Sequence, residues 1–254
     1  MQLQELLFSQ GFGTRRVCAG LIQQGHVTVD GRPVDDAGFE VAVAEGLPFT
    51  VQGRPWAYHA KAYVMLHKPA GTECSQKPST WPSVYTLLPD ALRQRPVKGG
   101  VTGVQAVGRL DQDTTGLLLL SDDGKFLHRM ASPKHHVPKL YVAEVKHALD
   151  EAQLARLRAG VVLDDDPRPV RALAAEALAE NRLALTLGEG KYHQVKRMVA
   201  AAGNRVEALH RARIGTLSLP PDLAPGQWRW LTADEVQALT QVSKPAPQSS
   251  AAGI

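Results

Sequence analysis

The residues best suited to chemistry lie in one loop, Gly108-Arg109-Leu110-Asp111-Gln112-Asp113-Thr114-Thr115-Gly116, which runs straight into Leu117-Leu118-Leu119-Leu120. A carboxylate can act as a nucleophile or a general base when it is held rigidly. Asp111 is the candidate for that role. The plain alternative is a turn, because Asp and Thr side chains in such loops often bond their own backbone. A second polar stretch, Glu189-Gly190-Lys191-Tyr192-His193-Gln194-Val195-Lys196-Arg197-Met198, supplies cations. His135 and His136, with His128, His193 and His210, invite a metal reading, but none stands at zinc-type spacing with a cysteine. Hydrogen bonding or simple exposure suits them better. A carboxylate-based hydrolase would need a second, partnered acid, and Asp113 is the near one in sequence.

The elements that must position these residues follow from pattern. The four leucines, bounded by Gly116 and by Ser121-Asp122-Asp123-Gly124, read as a strand buried on both faces. Asp111 would therefore sit where a central strand begins. Gly188-Glu189-Gly190 turns into a helix from about His193 to Ala202, with Val195, Met198, Val199 and Ala202 as its buried stripe. At about 100° per residue, Lys196 lies at the border of that stripe and can reach sideways into a cleft, while Arg197 points to solvent or phosphate. Residues 205–214 alternate. Val206, Ala208, His210, Ala212 and Ile214 would face the core, and Arg205, Glu207, Leu209, Arg211 and Arg213 a largely cationic exterior. Lys139 to Val145 alternates as another strand, which puts Tyr141 on one face with Ala143 and Val145.

Ahead of this region, residues 1–58 read as a separate module. Leu3, Leu6 and Leu7 repeat at helical spacing, Thr14 is a good N-cap for a helix from Arg15 to Gln24, and Val17 and Leu21 would be its apolar stripe. Val27-Thr28-Val29, Asp30-Gly31 and Arg32-Pro33-Val34 make a hairpin with a favoured turn dipeptide. The stretch from Gly53-Arg54-Pro55 to about Lys61 leads out of the module, with the linker proper at 59–61 and a main domain over 62–241 that opens on a strand at 62–67. Residues 75–106 are rich in Pro, Gly and Gln and read as long surface loops. Gly124 to Ala131 reads as a short helix, and Asp150 caps another that runs to Gly160. Residues 170–180 are alanine-rich and read as helix by propensity. A short helix is expected near 234–239, and the tail from 242 on, without apolar pattern, as disordered.

The chain has 254 residues and a net charge of +4. Its positive charge is segregated. Residues 125–147 hold five Lys/Arg against one acid, residues 186–214 hold six against two, and the remainder holds 18 basic and 22 acidic residues. Clustering of this kind suits a polyanion such as nucleic acid, although two solvated basic faces would look the same. The N-terminus lacks the pattern of a signal peptide and no stretch is long enough to cross a bilayer. Cys18 and Cys74 are far apart without metal-type spacing. They read as free thiols of a cytoplasmic, reducing compartment.

Taken together, several motifs resemble the pseudouridine synthases of the RsuA type. They are Gly108 to Leu117, Ser132-Pro133-Lys134-His135-His136, Lys139-Leu140-Tyr141, Glu189 to Met198, Leu209-His210-Arg211 and Asp222-Leu223-Ala224-Pro225-Gly226. The likeness covers nearly the whole chain to about residue 240. Thr14-Arg15-Arg16 and Gly25 to Gly31 resemble the alpha-L RNA-binding module shared with ribosomal protein S-four. That module usually opens with basic residues where this chain has Gln2, Gln4 and Glu5, which implies a weaker grip.

The resemblance implies an α+β fold: a small helix–helix–hairpin RNA-binding domain, then a larger mixed, mainly antiparallel sheet flanked by helices, with strands rather than helix over 170–180. It implies isomerisation of a uridine in ribosomal RNA, in the small subunit by the RsuA likeness (uridine 516). A large-subunit synthase of the same family and a non-catalytic ribosome-assembly factor are the alternatives. The reaction breaks the N1–C1′ bond, turns the base and bonds C5 to C1′, with no redox change, so no cofactor or metal is implied. Asp111 takes the role of nucleophile, by a route through the base, C1′ or a sugar proton that the sequence leaves open. Lys196 is expected to pair with Asp111, Tyr141 to lie against the base, Leu209 to shape the wall and Arg109 to hold the RNA, while Asp113 is structural. Arg15, Arg16, Lys134, His135, Lys139, Lys191, His193, Gln194, Arg197, Arg211 and Arg213 are the expected RNA contacts. A monomer acting on a partly assembled small subunit, away from membranes, completes the expectation.

Overall fold

The computed structural model describes residues 1–132 and 135–241. Lys134 and the tail from 242 lie outside the described residues. The chain opens with α1 (Leu3–Ser9) and α2 (Arg15–Gln23), the latter capped by Thr14, whose hydroxyl accepts from the Val17 N–H at 3.3 Å. The strands β1 (Val27–Val29), β2 (Arg32–Pro33), β3 (Pro48–Val51) and β4 (Arg54–Ala57) form a sheet of order β2-β1-β3-β4. Asp30 and Gly31 both adopt positive φ at the hairpin, as this turn requires. Two expectations change here. The face of α2 that packs on the leucines of α1 carries Cys18 and Ile22 with Leu21 partly buried beside them, whereas Val17 is 50% exposed. The residues from Arg54 also belong to the sheet, because β4 pairs antiparallel with β3.

The larger part begins with β5 (Tyr63–Lys68), α3 (Asp90–Arg93), β6 (Gln105–Ala106) and β7 (Thr115–Ser121). It continues with α4 (Gly124–Ala131), β8 (Lys139–Val145), α5 (Glu151–Ala159) and the paired β9 (Val161–Leu163) and β10 (Asp166–Val170). Then come β11 (Ala174–Ala179), β12 (Arg182–Leu187), α6 (Gln194–Ala201), β13 (Val206–Ile214), β14 (Leu217–Ser218), β15 (Trp228–Trp230) and α7 (Ala233–Gln241). Among the described residues these build a nine-stranded sheet of order β11-β12-β8-β13-β7-β5-β15, with β14 beside β13 and β6 beside β7. The fold is α+β. Leu117 to Leu120 are fully buried, two on each face, as a continuous apolar run demands.

Residues 174–179 are strand despite their alanines. Pairing with β12 along the whole of β11 outweighs a local helix preference of a few tenths of a kcal/mol per residue. Nor is 75–106 simply surface loop: Val84, Leu88, Leu92 and Val104 are buried against Leu118 and Leu120.

Two seams matter for the site. The first joins the N-terminal module to the sheet. Arg95, 1% exposed, donates to Asp122 Oδ2 (2.8 Å), Gln10 Oε1 (2.8 Å) and His59 O (2.7 Å). Gly11 comes so close to α3 that a Cβ there would lie 2.0 Å from Ala91 O. The second seam divides the large sheet. Among the described residues β13 and β7 are its parallel pair, in register at His210↔Thr115 and Arg211↔Gly116. Gly116 has φ +110° and a Cβ on it would lie 2.3 Å from Arg211 O, so only glycine permits this approach. Side chains bolt the join: Arg211 Nε donates to Leu117 O at 2.8 Å, and Thr115 Oγ1 lies 2.9 Å from His210 Nδ1.

Candidate active site

The signature loop crosses the top of β7 and is held from beneath. Lys68, at the end of β5, is fully buried and its Nζ donates to Pro69 O (3.0 Å), Gln112 O (3.2 Å) and Thr114 O (2.9 Å). Burial pushes its amine below the ordinary lysine range, with the nearby Cys74, Asp113 and Asp111 opposing that fall. Gly71 N–H donates to Gln112 O (2.8 Å), and Thr114 N–H donates to Asp111 O (3.1 Å). The local turn is therefore real, yet it leaves the Asp111 carboxylate free to face outward. Sequence pattern hides Lys68 as an anchor because two of its three partners are backbone carbonyls more than forty residues away. The Lys68-Pro69-Ala70-Gly71 break was the available signal.

From the other half-sheet, α6 and its N-cap bring basic side chains to the acid. Lys196 Nζ lies 3.4 Å from Asp111 Oδ2, and His193 Nε2 lies 3.3 Å from Asp111 Oδ1. The ammonium is shared. Its shorter contacts are to Asp113, at 2.7 Å and 2.8 Å. Asp113 is thus a working member of the cluster rather than a bystander in the turn. Burial alone would lower the Lys196 amine, but its bonds to Asp113 and the two acids' charges hold it above its usual value. For Asp113, burial acts upward and is outweighed by the Lys196 ammonium, which holds the carboxyl below the usual range.

Asp111, Lys196, Tyr141 and Leu209 line one pocket of about 80 Å³ together with Arg109, Thr114, Leu187, Glu189, Lys191, His193, Gln194 and Val195. Tyr141, on β8, and Leu209, on β13, are both 8% exposed and form its apolar wall. A cleft of about 600 Å³ shares Arg109, Asp111, Lys191, His193 and Lys196 with that pocket and extends past Glu73, Gln112, Asp113 and Tyr192. The five residues expected at the reacting centre thus come together, although they span β7's loop, β8, α6 and β13.

The expected RNA contacts divide. Lys191 and His193 line the cleft, while Arg197 is paired with Asp165 and donates to the Tyr192 carbonyl. Arg15 and Arg16 are exposed on the first turn of α2, with Arg15 lying 4.3 Å over the Phe8 ring. Arg213 is exposed, and His135 is half-buried beside His128. Three differ from expectation. Arg211 is 2% exposed, because register shifts between Val206 and Ala208 and between Arg211 and Arg213 break the strict alternation of β13 and turn Leu209 and Arg211 inward. The cationic outer face expected there does not form: Arg205 is tied to its neighbour Glu207. Gln194 is 4% exposed; its Oε1 accepts from Lys191 N–H (2.7 Å) and its Nε2 donates to Glu189 Oε1 (3.0 Å), so it braces the loop. Lys139 is half-buried with its Nζ on Val137 O, where burial and Arg211 lower it to about 8.

Residues 62–201 match the RNA pseudouridylate synthase family model, and residues 1–45 match the S4 domain model. The chain is 37% identical over 241 residues to ribosomal small subunit pseudouridine synthase A of Escherichia coli (strain K12), covering 94% of this chain and 100% of that one. The chain belongs to the RNA pseudouridylate synthase family. Another of these synthases, the uncharacterized RNA pseudouridine synthase YtzG of Bacillus subtilis, is 36% identical over 95% of this chain and 99% of its own. A crystal structure described as a pseudouridylate synthase superposes with a TM-score of 0.64 at 33% identity, covering 94% of this chain and 99% of the other. As an RNA pseudouridylate synthase the chain is an isomerase with an N-terminal S4 domain.

Proposed function

We propose that the protein converts a uridine of small-subunit ribosomal RNA to pseudouridine, with Asp111 as the reacting carboxylate. The observation that carries this is the cluster itself: an acid in the loop that leads into a buried central strand, 3.4 Å from Lys196 and walled by Tyr141 and Leu209. The full-length likeness to ribosomal small subunit synthases supports the choice of RNA. The target uridine must leave its stack to reach Asp111, at a cost of a few kcal/mol. The Tyr141 ring then lies against the base, Leu209 closes the wall, and Lys196 holds the carboxylate in place while water is excluded. Arg109, exposed at the rim, holds the RNA around the displaced nucleotide.

The division of labour follows the chain: residues 1–58 grip RNA, 59–61 link, and 62–241 hold the reaction. A monomer acting in the cytoplasm on a partly assembled small subunit fits this reading. The test is mapping of pseudouridines in ribosomal RNA from cells with and without the protein, repeated with Asp111→Asn. One small-subunit site is expected to lose its pseudouridine in both, while the variant still binds RNA. Unchanged modification in the variant would remove Asp111 from the chemistry. A change confined to large-subunit RNA would reassign the substrate.

A further inference from the structure

Tyr192 is 74% exposed, more than the other large hydrophobic side chains of the described residues that stand open to solvent. It is nevertheless held firmly. Its ring stacks on His193 with centroids 3.8 Å apart and planes 21° from parallel. Its carbonyl accepts from Arg197 Nη1 at 3.3 Å. His193 takes φ 47° and ψ 32°, a left-handed conformation that is costly for a residue with a side chain, and in this pose its Nε2 meets Asp111 Oδ1. Both rings line the wider cleft, among Arg109, Lys191 and Lys196. A flat aromatic face, immobilised in advance, exposed to water and ringed by cations, is the arrangement that stacks nucleobases of single-stranded RNA.

Resting on the function proposed above, we infer that Tyr192 is a stacking platform for the nucleobase adjacent to the target uridine. His193 links that platform to Asp111. When the uridine swings into the pocket, its neighbour loses one stacking partner, and the Tyr192 ring replaces it at the cleft mouth. His193 acts as a positioning residue: the same ring that supports Tyr192 holds Oδ1 of the acid, so occupancy of the platform and orientation of the carboxylate are coupled. The cleft favours a base over a protein side chain as the occupant, because it is continuous with the pocket that takes the uridine and shares its cations.

The experiment combines protein and substrate changes. A small-subunit ribosomal RNA fragment carrying the modified uridine is made with an abasic nucleotide at the 5′ neighbour or at the 3′ neighbour. Pseudouridine formation is then measured for wild type, Tyr192→Phe, Tyr192→Ala and His193→Asn. For the wild type, one of the two abasic substrates should raise KM by about 5- to 150-fold, the range that loss of one base–aromatic stack gives. Tyr192→Ala should show a comparable loss on the intact RNA and no further loss on that abasic RNA. Tyr192→Phe, which keeps the ring, should behave as wild type. His193→Asn should lower kcat as well as raise KM, which loss of the stack alone would not do. Equal KM for Tyr192→Ala and wild type on intact RNA, or equal sensitivity of both to the abasic neighbours, overturns the inference and leaves the function standing. Absence of pseudouridine with the wild-type protein overturns the function and the inference with it.

Discussion

Replacing Lys196 with Met removes the ammonium that Asp111 and Asp113 share. Its Nζ lies 3.4 Å from one carboxylate and 2.7 Å from the other, and both Lys196 and Asp111 side chains are about a quarter exposed. At an effective dielectric near 20, opposite unit charges about 4 Å apart interact by roughly 4 kcal/mol. Partial exposure and salt screening reduce that, so about 2 to 3 kcal/mol of support for the reacting acid is lost. Single-turnover pseudouridine formation should therefore slow by about 30- to 150-fold, with RNA affinity within about threefold. The second effect is sharper. Without Lys196, Asp113 becomes an uncompensated negative charge beside Asp111. Adding Asp113→Asn to Lys196→Met should recover about five- to tenfold of the loss, although the same Asp113→Asn in the wild type should change the rate by no more than about threefold. A double variant slower than Lys196→Met, or a Lys196→Met rate within threefold of wild type, would refute the account of a shared cation.

Two further predictions concern stability. Arg95→Ala strips Asp122 of its partner at a site where both side chains are 5% exposed or less, and it leaves Gln10 and His59 short of a donor. The expected cost is about 3 to 5 kcal/mol. That corresponds to a Tm lower by about 6 to 20 °C for a chain of this size, read by circular dichroism, and a fall of less than about 3 °C would contradict it. Lys139, lowered by burial and by Arg211 from 10.5 to about 8, binds its proton less tightly folded than unfolded. Between these two values the unfolded chain holds the proton that the folded chain has released, so this residue makes stability rise with pH across that window. Lys139→Met should be more stable at pH 7 by about 3 kcal/mol and should lack that rise in urea titrations from pH 7 to 10.5. An unaltered pH slope would show that the amine is not so placed.

How far the sequence revealed the molecule depended on how local the cause was. The buried strand at Leu117 to Leu120 was plain, because an uninterrupted apolar run has few other uses. The caps at Thr14 and Asp150 were equally legible, each bonding a backbone N–H three residues on. Arg211 was misread because a register shift in β13 carries no signature in residue type, so the alternation that exposes Arg213 hides its neighbour but one. The alanines of β11 prefer helix by propensity; the family resemblance pointed to strand, and pairing with β12 is the physical reason. At the site, the loop and the helical stripe singled out Asp111 and Lys196, while family likeness supplied their pairing and the roles of Tyr141 and Leu209. The nearer partnership of Lys196 with Asp113, the grip of Lys68 on the loop, and the stacking of Tyr192 on His193 all depend on distances that only the folded chain sets.

The parallel pairing of β7 with β13 has a consequence for the chemistry. The acid rides on one half of the sheet, and the amine, the tyrosine and the leucine on the other. The halves pair along two backbone rungs, reinforced by Arg211 and Thr115, and side chains cross the join: Leu110 packs in the interior of Tyr141 and Leu209, and Ile214 and Leu217 in that of Leu117 and Leu119. Neither half owns a pocket; the pocket is the zip between them. Warming or denaturant that loosens this join should silence the enzyme before the outer strands of either half come apart, so that loss of activity runs ahead of complete unfolding.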